Sequence, residues 1–319
     1  YVPIPVFLKS EIPQVLACGA ELKNTVCLTR GRQAFVSQHI GDLENRATDD
    51  FFRHTVNHLK RILDIDPQIV ACDRHPDYMS TRYADELDGV TCIAVQHHHA
   101  HIASCMAENP VDGPVIGLAF DGTGLGADDT IWGGEVLVAD YRSFTRAAHL
   151  KPVPMPGSAA AIKEPWRMAI SHLRAAFGGI PEHSTPMLQR LEAQNVSVML
   201  QMMDKGTNSP MTSSLGRLFD AIAAIVGIRS RVAFEGQAAM ELEMIADDTE
   251  SGHYDFSWDG DDVLEISPTR IVRAVMGDLQ QGVSPSVISA RFHNTLIVLF
   301  DSVCRHLRGR TGIDRVVLS

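Results

Sequence analysis

The order of apolar runs predicts an α/β protein with two lobes, each built on its own mixed sheet. Three observations predict it. Short β-branched runs alternate with helical patterns in the first third of the chain. A second pair of strands then surrounds Asp121-Gly-Thr-Gly-Leu-Gly126. The length of 319 residues is also long for a single core. The expected division is 1–110 for the first lobe, with an N-terminal β-hairpin and a His-rich helix. Residues 111–319 make the second, with the glycine-rich turn and a helical nucleotide-binding part.

Val15 to Cys18, Thr25 to Leu28 and Ala34 to Ser37 are short apolar or β-branched runs, and Thr29-Arg-Gly-Arg32 reads as the turn of a hairpin between the last two. Asp42 to Leu63 is expected to be helical, because Leu43, Ala47, Phe51, Val56, Leu59 and Leu63 fall near helical spacing. Ile69 to Cys72 and Val90 to Val95 read as buried strands, with a helix over Ser80 to Leu87 between them. His97 to Glu108 follows as a helix ended by Asn109-Pro110. Val115 to Phe120 and Glu135 to Ala139 are expected to be strands, and helices dominate from Ala160 onward. The last helix opens with Ser284-Pro285, a suitable N-cap and first-turn pair, and runs to about Arg308. Arg315 to Leu318 closes the list as a strand.

Charge and composition exclude several function classes. With 28 basic against 39 acidic residues, the net charge of −11 argues against a nucleic-acid or anionic-membrane partner. No run of eighteen apolar residues and no basic-then-apolar leader are found, so membrane insertion and secretion are not expected. The chain starts at Tyr1 and reads as a fragment. Its cysteines at 18, 27, 72, 92, 105 and 304 form no Cys-x-x-Cys pair, and are expected to be reduced, buried thiols of a cytoplasmic protein.

Gln96-His-His-His-Ala-His101 holds four of the fourteen histidines. If a helix starts there, His97 and His101 lie one turn apart on one face, the spacing two imidazoles need to hold one transition metal. The alternative is a solvated polar turn or a hydrogen-bonded core histidine. Imidazole suits zinc, iron, nickel or copper, and a carboxylate or water would complete the shell.

Asp121, Gly122, Thr123, Gly124 and Gly126 suggest a phosphate-facing turn, because backbone N–H groups approach phosphate oxygens most readily where no Cβ intervenes. A tight structural turn would look the same. Two later segments favour the nucleotide: Ser213-Ser-Leu-Gly-Arg-Leu-Phe-Asp220 places a carboxylate on a helix after a glycine, and Phe234-Glu-Gly-Gln-Ala-Ala-Met240 sets a glycine beside a carboxylate and an amide. A carboxylate such as Asp220 can accept both ribose hydroxyls.

Eight ordered segments together resemble the HypF family, the carbamoyltransferases of nickel–iron hydrogenase maturation. They are Glu21-Leu-Lys-Asn-Thr25, Ser37-Gln-His-Ile-Gly-Asp-Leu-Glu44, the histidine cluster, Asp121-Gly-Thr-Gly124, Trp132-Gly-Gly-Glu135, Lys163-Glu-Pro-Trp-Arg167, Gly216-Arg-Leu-Phe-Asp220 and Glu235-Gly-Gln-Ala-Ala-Met-Glu-Leu-Glu243. The resemblance implies a two-lobed fold like actin, Hsp70 and the sugar kinases. It also implies similarity to the tRNA threonylcarbamoyl-transferring proteins. A preceding domain would make carbamoyl adenylate from carbamoyl phosphate and ATP. This one would move the carbamoyl group to the C-terminal cysteine of HypE, which would dehydrate the product to a thiocyanate, the source of the cyanide ligands. Carried over residue by residue, His97 and His101 would bind a divalent metal, zinc or iron, with magnesium a further candidate beside the nucleotide. Asp121 to Gly124 would face phosphate, Asp220 the sugar, and Glu235, Gly236 and Gln237 the base or ribose. Lys23 and His39, on the first hairpin, are candidates to contact the phosphate or carbamoyl end. Trp166 and Arg167 have packing and capping as their alternative.

Three departures from the family pattern limit the transfer. Gly157-Ser-Ala-Ala-Ala161 replaces a Gly-Gly-Asp-Ala-Ala pattern, Asp129 stands where glycine is expected, crowding the turn after Gly126, and a second phosphate turn and a metal-ligating aspartate are expected beyond Ser319. The domains expected upstream are missing too, so the whole reaction is not expected of this chain alone. An ATPase or small-molecule kinase of the same fold, and a non-catalytic metal-binding docking module, are the alternative functions.

Overall fold

The computed structural model describes residues 4–181 and 185–319. The chain divides into two compact units, Tyr1–Gly113 and Pro114–Ser319. Each contains one mixed sheet.

In the first unit the strands are β1 (Val6–Ile12), β2 (Val15–Ala17), β3 (Cys27–Val36), β4 (Ile69–Asp73) and β5 (Thr91–Val95), in the order β1-β3-β2-β4-β5. Helices α1 (Arg46–Leu63), α2 (Met79–Asp85) and α3 (His97–Glu108) connect or follow the parallel strands. Asn45 caps α1 by accepting from Thr48 N at 3.0 Å, and the helix buries Phe52, Val56, Leu59 and Leu63 in a core with Leu16, Leu28 and Val70.

Four sequence expectations change here. The hairpin at Thr29 to Arg32 is absent: β3 runs straight through, antiparallel to β1 on one side and β2 on the other. Gly31 lies inside it at φ +60°, opposite Ile12, and the extra residues of the irregular pairing lie on β1 between Phe7 and Ile12. Thr29 Oγ1 accepts from Val15 N and donates to Pro13 O, so the tight turn lies before β2. The first helix starts at Arg46, because Asn45 caps it, leaving the buried Leu43 in the preceding loop. Phe51 faces solvent while Phe52 faces the core. Finally, β5 is an edge strand with residues 91–94 exposed, since it pairs only with β4.

The second unit contains β6 (Val115–Leu125), β7 (Ile131–Ala139), β8 (Phe144–Leu150), β9 (Val153–Pro154), α4 (Ala159–Lys163), α5 (Trp166–Phe177), α6 (Ala193–Lys205), β10 (Met211–Thr212) and α7 (Leu215–Val226). It continues with α8 (Gln237–Met244), β11 (Ser257–Asp259), β12 (Leu264–Ser267), α9 (Thr269–Gln280), α10 (Pro285–Thr311) and β13 (Val316–Leu318). β7 is the hub of an eight-stranded sheet, pairing with β6, β8 and β10, and β13 adds in parallel to β6. The core joins this sheet to α5, α7, α9 and α10 through Ile170, Leu218, Ile222, Val272, Phe292 and Leu299. Ser284 caps α10 and Pro285 opens it as expected. By length and composition α10 alone among the described helices could cross a membrane, but half of the relevant stretch is buried, and its apolar side chains belong to the core.

The expected pair around the glycine-rich segment is longer than its apolar runs. β6 continues to Leu125 and β7 starts at Ile131, so Asp121 to Gly124 lies within the ladder, where register breaks between Phe120 and Gly124. The reversal itself spans 126–130, closed by Gly126 N donating to Thr130 O at 2.8 Å. Asp129 occupies it at φ +60°, a left-handed conformation that glycine adopts most cheaply and aspartate tolerates.

Candidate functional site

In the first unit, parallel strands β4 and β5 end side by side, with Asp73 opposite Val95. Gln96 then starts α3, its side-chain oxygen accepting from His99 N at 2.8 Å while its amide meets His98 Nδ1 at 3.2 Å. This cap fixes the helix start, so the phase of the histidines is set. His98 is fully buried. His97 and His101 share the other face, and their Nε2 atoms lie 3.2 Å apart. His97 Nδ1 donates to Asp73 Oδ2 at 2.7 Å.

That array fits a metal. An Nδ1–H held by Asp73 leaves the His97 Nε2 lone pair pointing away, the usual way a carboxylate orients a ligating imidazole. Two nitrogens each about 2.05 Å from one tetrahedral ion lie about 3.3 Å apart, which the observed separation nearly matches. A shared proton would suit the same spacing without an ion. A cavity of about 490 Å³ opens here, and Gly19, Ala20, Cys72, Asp73, His97 and His101 are among its lining residues.

In the second unit, the break in β6 is held by the start of α7. Ser214 Oγ lies 2.7 Å from both Asp121 O and Gly122 O and accepts from Arg217 N, capping the helix against the bulge. Glycine is required for this approach: a Cβ on Gly216 would stand 2.9 Å from Gly122 Cα, and one on Gly133 would stand 2.4 Å from Asp121 O. Gly122 N approaches Asp121 Oδ1 at 2.6 Å, while Thr123 is half-buried and Gly124 is buried opposite Trp132. Gly126 has a packing role, since a Cβ there would fall 2.2 Å from Trp132 Nε1, which donates to Asp128.

The Trp132-Gly-Gly-Glu135 segment is a buttress. Buried Glu135 binds Arg146 Nε at 2.6 Å and accepts from Ser213 Oγ, while Arg146 lies over the Trp132 ring. Ser213 precedes the α7 cap, so this network fixes where the helix begins.

Asp220 is only 3% exposed and faces Arg217, equally buried, at 3.0 Å. The contact is an ion pair without hydrogen-bond alignment. Burial pushes the Asp220 carboxyl up to about 6, with Arg217 opposing. Arg217 Nη2 also lies 3.5 Å from where a Gly122 Cβ would be, with Glu235 Oε1 3.8 Å from the same point. Its Nε and Nη1 have no hydrogen-bond partner among the described residues. Glu235 is exposed, and Gly236, at φ +76°, starts α8. Gln237 spends its amide locally, accepting from Ala233 N and donating to Glu241.

Lys23 and His39 are exposed and lie in loops, not on a hairpin, flanking the Asn24–Gly41 bridge. Trp166 is buried, and Arg167 Nε pairs with Glu164 at 2.6 Å. Ser158, where the family pattern has glycine, is held at φ +49°, ψ −119°. Ala159 opens α4 where the pattern has aspartate. Of the cysteines, all free, only Cys18 and Cys72 are buried, and Cys92 is exposed. Sequence reasoning passed over Asp73, Ser214 and Arg217. The first was legible as a carboxylate at a strand end, and the others lay inside or beside a quoted motif.

Comparison with known proteins agrees with this architecture. Residues 10–108 match the HypF Kae1-like domain, and residues 117–319 match the second subdomain of the Kae1-like domain of carbamoyltransferases. Carbamoyltransferase HypF2 of Cupriavidus necator is 49% identical over 257 residues, covering 77% of this chain and 30% of the relative. Carbamoyltransferase HypF of Rhizobium leguminosarum bv. viciae is 44% identical over the whole chain, which spans 41% of that relative. The chain thus spans less than half the length of either. A crystal structure of full-length HypF in a phosphate- and nucleotide-bound form superposes with a TM-score of 0.95 at 42% identity, covering all of this chain and 50% of that one. The HypF of T. kodakarensis gives 0.88 at 30% identity, over all of this chain and 43% of that one. With both units matched in order and the fold shared throughout, the chain belongs to the HypF carbamoyltransferase family.

Proposed function

We propose that this chain is the domain that moves a carbamoyl group from carbamoyl adenylate to the C-terminal cysteine of a HypE-type partner, in cytoplasmic cyanide-ligand synthesis for nickel–iron hydrogenases. The adenylate would come from carbamoyl phosphate and ATP on a preceding domain. The observation that carries this reading is the β6 bulge braced by the start of α7, where backbone without side chains is available to a phosphate. A HypF sharing 42% identity is described as phosphate- and nucleotide-bound, which supports the placement.

In the reaction the acceptor thiolate attacks the carbamoyl carbon, the new C–S bond forms, and the C–O bond to the phosphate breaks, releasing AMP. Backbone N–H groups over 122–124 would hold the departing phosphate, the Gly126 N–H being spent on Thr130 O. Asp220 and Glu235 to Gln237 are assigned to the nucleoside, and Lys23 and His39 to the phosphate or carbamoyl end. His97 and His101 would hold zinc or iron, with Asp73 keeping His97 in the ligating tautomer. A bound ion there supplies Lewis acidity to a carbonyl or phosphoryl oxygen; magnesium would accompany ATP.

Mixing the chain with carbamoyl adenylate and a cysteine-ending peptide, then weighing the peptide, tests the reading. A carbamoyl adduct is expected, and it should vanish when the terminal cysteine becomes alanine. Hydrolysis of ATP or phosphorylation of a hydroxyl without any adduct would favour a kinase-like activity. No turnover, with peptide still bound, would favour a docking module.

A further inference from the structure

On the sheet of the first unit, Cys72 of β4 and Cys92 of β5 bring their sulfurs to 3.3 Å. They project from the same face, because Cys72 is opposite Ala94 and Cys92 opposite Val70. This register offsets them by two residues. With neighbouring strands about 4.8 Å apart and a rise of about 3.3 Å per residue, the Cα atoms stand on the order of 8 Å apart. A disulfide needs less than about 7 Å without backbone movement. The sulfurs therefore touch while the backbones resist a bond between them.

We propose that Cys72 and Cys92 form a dithiol site that takes up one soft, thiophilic Lewis acid and does not close on itself as a disulfide. Two sulfurs in contact can grip one such centre together. Cys92 is exposed, so a reagent can enter, whereas Cys72 is buried and already placed for the second bond. The surroundings favour a cation: Asp85 and Asp73 direct negative charge at Cys72. Burial, then the neighbouring Cys92, pushes the Cys72 thiol up to about 12, which suppresses free thiolate chemistry at neutral pH. A bound Lewis acid displaces the protons instead.

Phenylarsine oxide is the probe. Two As–S bonds form, the arsenic oxygen leaves with both thiol protons as water, and arsenic stays trivalent. Intact-mass measurement should find one adduct per chain that survives excess 2-mercaptoethanol and is removed by dithiothreitol. Cys72→Ser and Cys92→Ser should each lower retention against the monothiol about tenfold or more, because the second bond is intramolecular. Cys27→Ser, Cys105→Ser and Cys304→Ser should retain the adduct. Cys92→Ser carries the test if Cys72→Ser does not fold by circular dichroism, since Cys92 is exposed. Unchanged retention in Cys92→Ser, or a peptide map showing a Cys72–Cys92 disulfide after mild peroxide treatment, overturns the proposal.

Discussion

Asp73 and Asp220 are both buried carboxylates facing one basic partner, yet they do opposite things. Asp73 accepts an aligned bond from His97 at 2.7 Å, and the partner's other nitrogen faces His101. Asp220 meets Arg217 at 3.0 Å without alignment, and burial dominates its ionisation. The first pair turns the other nitrogen of His97 towards His101. The second keeps a charge inside the fold, next to the glycine bulge. A buried carboxylate is therefore no sign of ligand contact until its partner's remaining atoms are followed.

The largest test of that contrast is Asp220→Ala. Leaving Arg217 charged and buried without its counter-ion should cost about 3–5 kcal/mol, read as a lower midpoint in urea unfolding. A double variant, Asp220→Leu with Arg217→Met, should recover most of that loss. If Asp220→Ala unfolds at the wild-type midpoint, the pair has no structural weight.

The second test uses pH. The Asp220 carboxyl is raised from 3.8 to about 6 in the folded state, so the folded chain holds a proton that the unfolded chain has released between those values. Its contribution is complete below 3.8 and is lost as pH rises to about 6. The change is on the order of 3 kcal/mol. Asp220→Asn should remove this slope from the stability profile, and an unchanged slope would assign it to other groups.

For the first pair, Asp73→Asn should weaken metal binding about 10–100-fold by loosening the His97 tautomer. His97→Ala with His101→Ala should abolish it. Metal content measured in purified protein decides both; equal content in the double variant rejects the site. The smallest effect is expected at Ser158, where relief of a strained backbone by Ser158→Gly should add about 1 kcal/mol or somewhat more. An unchanged thermal midpoint would show that the conformation carries no strain.

Much of this was legible in sequence because periodicity and caps report local geometry. The limits of α3 were read residue for residue, and the Ser284-Pro285 start of α10 was equally clear. The hairpin expected at Thr29 to Arg32 failed because a glycine between β-branched runs looks alike in a turn and inside a long strand; only pairing with β1 and β2 distinguishes them. Burial of Val90 to Val95 was misjudged for a related reason. An apolar strand at a sheet edge has the composition of a central one. At the candidate site, the histidine spacing was visible, but Asp73 lies 24 residues earlier and reaches His97 through strand pairing. The Gly216 approach to Gly122 depends on sheet and helix docking and has no local signature.

That approach also limits how the second unit can move. The start of α7 meets β6 through bare backbone, with a Gly216 Cβ position only 2.9 Å from Gly122 Cα. Joints that slide do so by letting side chains hop between rotamers, and the Gly216–Gly122 contact has none to hop. Ser214 pins it further with its hydroxyl. Any displacement of the bulge is then passed to α7 and, through its buried residues, into the core, so the bulge and the helix respond as one rigid lever.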